Sequence, residues 1–93
     1  MRVKIRTAGA LTQSMPGGKD VIEGRGLTVQ RLIEILVAKY GPGLEKELLE
    51  QGNIKNGLSM LVNGRNILSL PKKYETLLQD GDEVFITIVV AGG

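Results

Sequence analysis

The sequence predicts an α+β domain in which one main helix covers one face of a mixed sheet of about five strands. Residues 2–7 alternate charged side chains with Val, Ile or Thr, which is the period of a half-buried strand. Residues 28–40 place apolar side chains three and four positions apart, as one face of a helix requires. Residues 83–90 are apolar on both faces of a strand, which indicates a central position in the sheet. A helix with one apolar face must pack on that sheet, which gives two layers.

The first part of the chain predicts a loose hairpin followed by the helix. A strand running to about residue 8 is followed by residues 10–19, whose Ser, Pro and Gly content predicts a mobile loop. A second strand is expected near residues 20–23. Thr28 is a good N-cap residue for the helix, and Gly41, followed by proline, predicts its end. The predicted apolar face of the helix consists of Val29, Leu32, Ile33, Leu36, Val37 and Tyr40.

A second hairpin is predicted around Asn63-Gly64. This dipeptide tolerates the positive φ angles of a type I′ turn, and it separates candidate strands over residues 58–62 and 65–68. In a two-residue hairpin of this kind the facing pairs are Val62 with Arg65 and Met60 with Ile67.

Three shorter features complete the prediction. Residues 44–51 favour a short second helix with Leu44, Leu48 and Leu49 as its apolar residues. Residues 74–78 are typical of a helical turn or tight loop, with both Leu77 and Leu78 in the core. Asp80-Gly81-Asp82 predicts a turn before the last strand.

The absence of Cys and His restricts the chemistry that the chain can perform. A protein without them lacks the two commonest side chains for covalent catalysis and for proton transfer near neutral pH. It also lacks the usual zinc ligands. We therefore expect a protein that is not an enzyme and that holds neither a metal nor a bound cofactor. The carboxylates of residues 80–83 are interpreted as a turn feeding a strand and not as a cation site.

Charge and hydropathy bear on partners and location. A formal charge of +2 and only three aromatic residues argue against a nucleic-acid partner. The apolar stretches are far shorter than the roughly 20 residues that cross a bilayer, so no membrane partner is expected. The first six residues alternate charge and hydrophobe, unlike a signal peptide. The sequence thus favours a cytoplasmic protein.

Five short segments carry a family resemblance: Val3–Arg6, Leu27–Val29, Val62–Arg65, Leu78–Val84 and Val90–Gly93. Together they resemble the ubiquitin-like β-grasp sulfur-carrier proteins, especially the small subunit of molybdopterin synthase and its archaeal relatives, which include the small archaeal modifier proteins. The resemblance covers essentially the whole chain. The Asp-Gly-Asp-Glu-Val turn and the Val-Ala-Gly-Gly ending are its most specific parts. The chain departs from molybdopterin-type relatives at Thr87–Val90, where those proteins often have prolines.

The resemblance implies a function at the last residue of the sequence. An E1-like adenylating enzyme would use ATP to activate the Gly93 carboxylate, and a sulfur donor system would convert it to a thiocarboxylate. The large subunit of molybdopterin synthase is a further partner that the resemblance implies. Gly93 has no Cβ to obstruct attack on its carbonyl carbon, and Gly92 removes the next obstruction. We expect residues 1–90 to form a single domain, with Ala91, Gly92 and Gly93 as a flexible tail that reaches roughly 10 Å into a partner's active site.

A partner-binding face is predicted on the side of the sheet that the helix leaves open. If Ile86 and Ile88 face the helix, the side chains between them face away from it. Basic side chains of the first strand would lie on the same face, and a mixed apolar and basic patch is of the kind that binds proteins. The bland alternative is a set of ordinary exposed strand positions. The predicted partner face consists of Phe85, Thr87, Val89, Arg2, Lys4 and Arg6.

Three functions remain open from the sequence. The first is the sulfur carrier, and the second is a ubiquitin-like modifier joined through Gly93 to lysines of target proteins. Both need the same activation of the carboxylate. The third is a non-catalytic β-grasp module that binds proteins or nucleic acid and has an inert tail. The sparse aromatic residues count against nucleic-acid binding by this third candidate.

Overall fold

The computed structural model describes residues 1–9 and 11–88, which form seven strands and three α-helices. Three short 3₁₀ turns, Pro16–Gly18, Ile67–Ser69 and Lys73–Glu75, connect them. In chain order the elements are β1 (Arg2–Thr7), α1 (Leu11–Ser14), β2 (Lys19–Glu23), α2 (Val29–Tyr40), α3 (Pro42–Leu48), β3 (Leu49–Glu50), β4 (Asn53–Ile54), β5 (Leu58–Val62), β6 (Arg65–Asn66) and β7 (Glu83–Ile88).

Five of the strands form one mixed sheet in the order β2-β1-β7-β5-β6. The central β7 pairs parallel with β1 and antiparallel with β5, and the outer pairs are antiparallel. The remaining strands, β3 and β4, form a separate antiparallel pair. The predicted mixed sheet and the central position of the last strand are confirmed. The last two residues of that predicted strand, 89 and 90, lie outside the described part of the chain.

The helix α2 begins and packs as its sequence predicts. Thr28 Oγ1 accepts a hydrogen bond from the Arg31 backbone N–H at 3.1 Å, which caps the first turn. The buried face of α2 packs with sheet residues in one hydrophobic core, whose members include Val29, Leu32, Ile33, Leu36, Val3, Ile5, Met60, Val84 and Ile86.

No helix in the described part of the chain has the length and apolar character needed to cross a membrane.

The prediction of a mobile loop over residues 10–19 is wrong for the described residues of this segment. Residues 11–14 form α1, Pro16–Gly18 form a 3₁₀ turn, and Lys19 already belongs to β2. Leu11 and Met15 are 1% and 0% exposed, so the segment is anchored in the core. Two apolar residues four positions apart share one helix face, and this spacing outweighs the Ser, Pro and Gly content.

The predicted second hairpin is confirmed at its turn, but the predicted strand pairing beyond residue 66 is wrong. Val62 faces Arg65 across Asn63-Gly64, as predicted. The pairing then ends at Asn66, whose side chain accepts a hydrogen bond from the Leu68 N–H at 2.9 Å and starts a 3₁₀ turn. Ile67 therefore leaves the sheet and does not face Met60, although it is buried.

Only one of the two leucines predicted to fill the core after this turn does so. Leu78 is 2% exposed, whereas Leu77 is 62% exposed. The Leu78 N–H donates to the Leu27 carbonyl, and Leu77 forms an isolated β-bridge with Thr28, so the backbone is extended here. Successive side chains on an extended backbone point to opposite sides, and one of two neighbours must face out.

The second helix is displaced from the predicted residues 44–51. Gly41, with a φ of 83°, ends α2, and Pro42 opens α3 directly, because proline suits the first turn of a helix. The helix ends at Leu48, and Leu49 belongs to β3 instead. Leu44 and Leu48 are buried as predicted.

Candidate functional site

The face of the sheet opposite α2 carries the described members of the predicted partner face. In β1, Val3 and Ile5 are buried, so the side chains between them point away from the core. In β7, Val84 and Ile86 are buried in the same way. Val89 lies outside the described residues. The structure thus places Arg2, Lys4, Arg6, Phe85 and Thr87 on one face, which we call the open face.

Arg6 and Phe85 meet at the centre of the open face. They are direct partners in the parallel pairing of β1 and β7, and the Arg6 guanidinium carbon lies 5.3 Å from the centre of the Phe85 ring. Arg6 Nη1 also donates to Glu83 Oε1 at 2.9 Å. Exposed contacts of these kinds each contribute about 1 kcal/mol or less, so they orient Arg6 more than they stabilise the fold. The result is an aromatic ring and a held cation side by side.

A shallow depression of about 330 Å³ lies between β7 and the hairpin of β5 and β6. Leu61 forms part of its lining and is the direct cross-strand partner of Phe85. Leu61 was not predicted for this face, although it alternates with Met60 and Val62, which are both buried, and so faces outward. The depression is lined by Arg6, Leu61, Asn63, Gly64, Glu83 and Phe85.

The acidic turn before β7 binds backbone and side-chain donors of the protein. Asp82 Oδ2 accepts from the Gln79 N–H at 2.8 Å, and Asp82 Oδ1 accepts from Asn63 Nδ2 at 2.9 Å. Asp80 Oδ1 accepts from the Arg2 N–H at 2.8 Å. The prediction of a turn is confirmed, and its carboxylates serve to join the start of β7 to β1 and to the second hairpin.

A cluster of polar groups on the helix side of the sheet, which was not predicted from the sequence, joins β2 to the end of α2 by hydrogen bonds. Asp20 Oδ2 accepts hydrogen bonds from Lys39 Nζ, at 2.7 Å, and from the Tyr40 hydroxyl. Burial tends to raise the pKa of Asp20, but the hydrogen bonds from Lys39, Tyr40 and the Val21 N–H outweigh it and hold that pKa below its ordinary value. Burial and the hydrogen bond to Asp20 raise the pKa of Tyr40. The cluster is on the helix side of the sheet, away from the open face.

The predicted reactive tail follows β7. Ala91, Gly92 and Gly93 lie outside the described residues, so their contribution to the site stays a prediction. The strand that leads to them is held on both sides: β1 and β5 pair with β7, and the Ala8 N–H donates to the Ile86 carbonyl at 3.1 Å. Strand β7 therefore has a fixed position in the middle of the sheet as far as Ile88.

Comparison with known proteins identifies related chains over most or all of this length. The model of the ThiS family matches residues 10–93. A protein of Archaeoglobus fulgidus, described as a candidate sulfur carrier protein, is 38% identical over 93 residues, which are 100% of both chains. Small archaeal modifier protein 3 of Haloferax volcanii is 39% identical over 66 residues, which are 71% of this chain and 70% of that protein.

A solved structure supports the same assignment of the fold. The solution structure of small archaeal modifier protein 1 from Methanosarcina acetivorans superposes with a TM-score of 0.81 at 29% identity. The match covers 99% of this chain and 96% of that one. The predicted ubiquitin-like β-grasp fold is confirmed.

Proposed function

The chain belongs to the ThiS family, and we propose that it is a sulfur-carrier protein whose Gly93 carboxylate is adenylated by an E1-like enzyme and then converted to a thiocarboxylate. One observation carries the proposal. The relative from Archaeoglobus fulgidus that is described as a candidate sulfur carrier aligns with this chain from end to end. A chain without Cys or His also suits a carrier that partner enzymes load better than it suits a catalyst.

The proposed chemistry takes place at one carbon atom. A carboxylate oxygen of Gly93 attacks the α-phosphorus of ATP, and pyrophosphate leaves. A hydrosulfide equivalent from a sulfur donor system then attacks the carbonyl carbon of the acyl adenylate, and AMP leaves. Both steps would take place in the active sites of partner enzymes. Gly92 and Gly93 offer no side chain that would obstruct the approach of either enzyme.

The open face supports the proposal because it lies on the strand that leads to the reactive carboxylate. Phe85 is eight residues from Gly93, so an extended chain between them spans at most about 28 Å. A partner enzyme that binds the open face at Phe85 would contact β7 and bring the tail within reach of the enzyme's active site. We therefore propose that the open face binds the activating enzyme.

Substitution of Phe85 by Ser tests this binding role. We expect weaker binding of the cognate activating enzyme with a folded chain, because Phe85 is half-buried at the surface and lies outside the core cluster. Leu77→Ser is the matched control, since Leu77 is an exposed apolar residue outside the open face. Equal affinity of the Phe85→Ser variant and the unsubstituted protein, measured by calorimetric titration, would remove the open face from the proposal.

Intact mass spectrometry tests the carrier function itself. The chain is incubated with its cognate activating enzyme, ATP and a sulfur donor. We expect the mass increase that corresponds to replacement of one oxygen by sulfur, and no increase in a variant that lacks Gly92 and Gly93. A variant with Lys46→Glu, on α3, should be loaded like the parent chain. Absence of the increase in the intact chain would contradict the proposal.

A second candidate function is favoured by the relatives that are named modifiers. The proteins from Haloferax volcanii and Methanosarcina acetivorans are described as small archaeal modifier proteins. By the same activation, Gly93 would form an isopeptide bond with target lysines. Adducts of higher mass in cell lysate that disappear on deletion of Gly93 would support this function. Neither sulfur loading nor adducts would favour a stand-alone interaction module.

We propose that the carrier supplies sulfur for molybdopterin biosynthesis. The support is the resemblance of Leu78–Val84 and Val90–Gly93 to the small subunit of molybdopterin synthase. The large subunit of that enzyme would then consume the thiocarboxylate, in the cytoplasm, where ATP is available. Reconstitution with the large subunit and its substrate tests this assignment: the sulfur lost from the thiocarboxylate should appear in the product, and its loss as hydrosulfide alone would contradict the assignment.

A further inference from the structure

Two positively charged side chains face each other across β1 and the edge strand β2. In the antiparallel pairing of β1 and β2, Arg6 is the direct partner of Lys19, and Lys4 is the direct partner of Val21. Direct partners lie on the same face of a sheet, so β2 extends the open face with one further cation and one apolar side chain. We call Lys4, Arg6, Lys19 and Val21 the basic strip. All four are exposed.

The basic strip carries more positive charge than its neighbours neutralise. Glu83, which is the cross-strand partner of Lys4, forms its ion pair with Arg6. Within residues 1–9 and 11–88 neither Lys4 nor Lys19 has a carboxylate within ion-pair distance. Val21 is 40% exposed, lies opposite Lys4, and is two positions from Lys19 along β2. A shallow depression of about 310 Å³ runs along the strip. The surface therefore combines three cations with one exposed apolar side chain on the edge strand.

The placement of Lys19 opposite Arg6 is unfavourable for the isolated protein. Like charges directly opposite one another destabilise a sheet, whereas opposite charges stabilise it. The same two strands have the favourable arrangement at Arg2 and Glu23, whose side chains form an ion pair at 3.3 Å. An acidic side chain at position 19 would give a second such pair. The strip thus lacks a stabilising ion pair between positions 6 and 19, and the charge of Lys19 is available to a binding partner.

We propose that the basic strip binds an acidic segment of the activating enzyme, a proposal that rests on the function proposed above. A carboxylate of the partner would lie between Arg6 and Lys19, and a neighbouring one at Lys4, with an apolar side chain of the partner against Val21. Charge complementarity of this kind speeds association and sets the orientation of the two proteins. A protein is favoured over a nucleic acid because the chain has only three aromatic residues on which bases could stack and a formal charge of only +2.

Charge reversal at Lys19 separates binding from stability. Lys19→Glu should raise the Kd for the activating enzyme about tenfold at low salt and flatten its salt dependence. The same substitution should leave the urea midpoint unchanged or raise it, because it creates an ion pair with Arg6. Lys46 is an exposed lysine on α3. Lys46→Glu changes the net charge by the same amount as Lys19→Glu and should leave the Kd within about twofold of the parent value. Equal effects of both substitutions on the Kd would overturn the proposal.

A second measurement does not depend on the enzyme. Titration of the protein with a poly-glutamate peptide, followed by amide chemical shifts, should move the resonances of Lys4, Lys19 and Val21 first, and the shifts should be lost in Lys19→Glu. Shifts elsewhere only, or none, would overturn the proposal. Stronger strip-dependent shifts with a short single-stranded RNA than with the peptide would also overturn it, in favour of a nucleic-acid surface.

The two proposals fail in different ways. If the intact chain gains no sulfur, the carrier function fails, while the peptide titration still decides whether the basic strip binds acidic protein segments. If the intact chain is loaded with sulfur and Lys19→Glu is loaded with the same KM as Lys46→Glu, the basic strip fails alone.

Discussion

Asn63 Nδ2 donates a hydrogen bond to Asp82 Oδ1 at 2.9 Å and joins the turn of the second hairpin to the turn before the central strand. Two further bonds support this contact. The Asn63 backbone N–H donates to the Glu83 carbonyl at 2.8 Å, and the Glu83 N–H donates to Asn63 Oδ1 at 3.0 Å. The start of β7 is thereby fixed, which bears on every residue that follows it along the strand.

Substitution of Asn63 should lower the stability of the whole domain. Asn63 has a φ of 51°, so Asn63→Gly keeps the backbone conformation and loses the two side-chain bonds, at an expected loss of about 1 kcal/mol in the free energy of unfolding. Asn63→Ala adds backbone strain of roughly 1 kcal/mol more. Urea unfolding measures both. Asn56→Ala, at an exposed turn residue, should change stability by about 0.5 kcal/mol or less. An Asn63→Gly variant as stable as the parent would refute the structural role of the side chain.

Truncation of Leu11 should be far more damaging than truncation of Leu77. Leu11 is 1% exposed, and its replacement by Ala removes packed atoms and leaves a cavity, at a loss of about 2–5 kcal/mol. Leu77 is 62% exposed, so Leu77→Ala should change the free energy of unfolding by about 0.5 kcal/mol or less. Thermal or urea unfolding compares the two variants. Similar losses in both would mean that residues 11–14 are not packed as described.

Substitution by glycine should lower the free energy of unfolding less at Lys73 than at Lys72. Lys73 has a φ of 46°, which a residue with a Cβ adopts at a penalty of roughly 1–2 kcal/mol, whereas Lys72 has an ordinary φ of −102°. Each glycine adds about 0.5–1 kcal/mol of chain entropy to the unfolded state. Lys73→Gly should therefore be about 1 kcal/mol more stable than Lys72→Gly. The reverse order in urea unfolding would contradict the positive φ of Lys73.

The pH dependence of stability should report on Asp20. Its pKa lies below the ordinary value of 3.8 in the folded protein, so the unfolded chain takes up the proton more readily. The stabilisation is therefore fully present above this ordinary value, and it is lost as the pH falls through the lower folded pKa. Asp20→Asn should lower stability at pH 7 and have a smaller effect in acid.

Glu23→Gln is the matched control for Asp20→Asn, because it removes one carboxylate whose side chain is 72% exposed. It should lower stability at pH 7 by less than Asp20→Asn does, because the ion pair of Glu23 with Arg2 is exposed. A difference in stability between the parent and Asp20→Asn that is constant from pH 7 into acid would contradict the assigned pKa direction.

The residues that the sequence analysis assigned correctly are those whose environment depends on near neighbours. The N-cap at Thr28, the positive φ angles at Asn63-Gly64 and the alternation in β1 each follow from side chains a few positions apart. The error at Leu77 has a cause outside its own segment. Leu77 was assigned to the core from its hydrophobicity, but its side depends on where Leu78 meets Leu27, a contact made by a distant part of the chain.

The candidate site was predicted in the same uneven way. Alternation within β1 and within β7 indicated an open face, and the structure brings Arg6 and Phe85 together on it. Neither Leu61 nor Lys19 was included, because their membership depends on which strands are neighbours. That order places β2 and β5 on either side of the predicted pair of strands.

The sequence by itself determined β1, α2 and the Asn63-Gly64 turn, the α+β class and the family resemblance that points to Gly93, because periodicity, caps and turn dipeptides act over a few residues. Only the tertiary structure decided that Lys19 faces Arg6 and that Asn63 reaches Asp82. Contacts between residues far apart in the chain depend on strand order and register. Those are set by the burial of the whole core at once, and no local pattern specifies them.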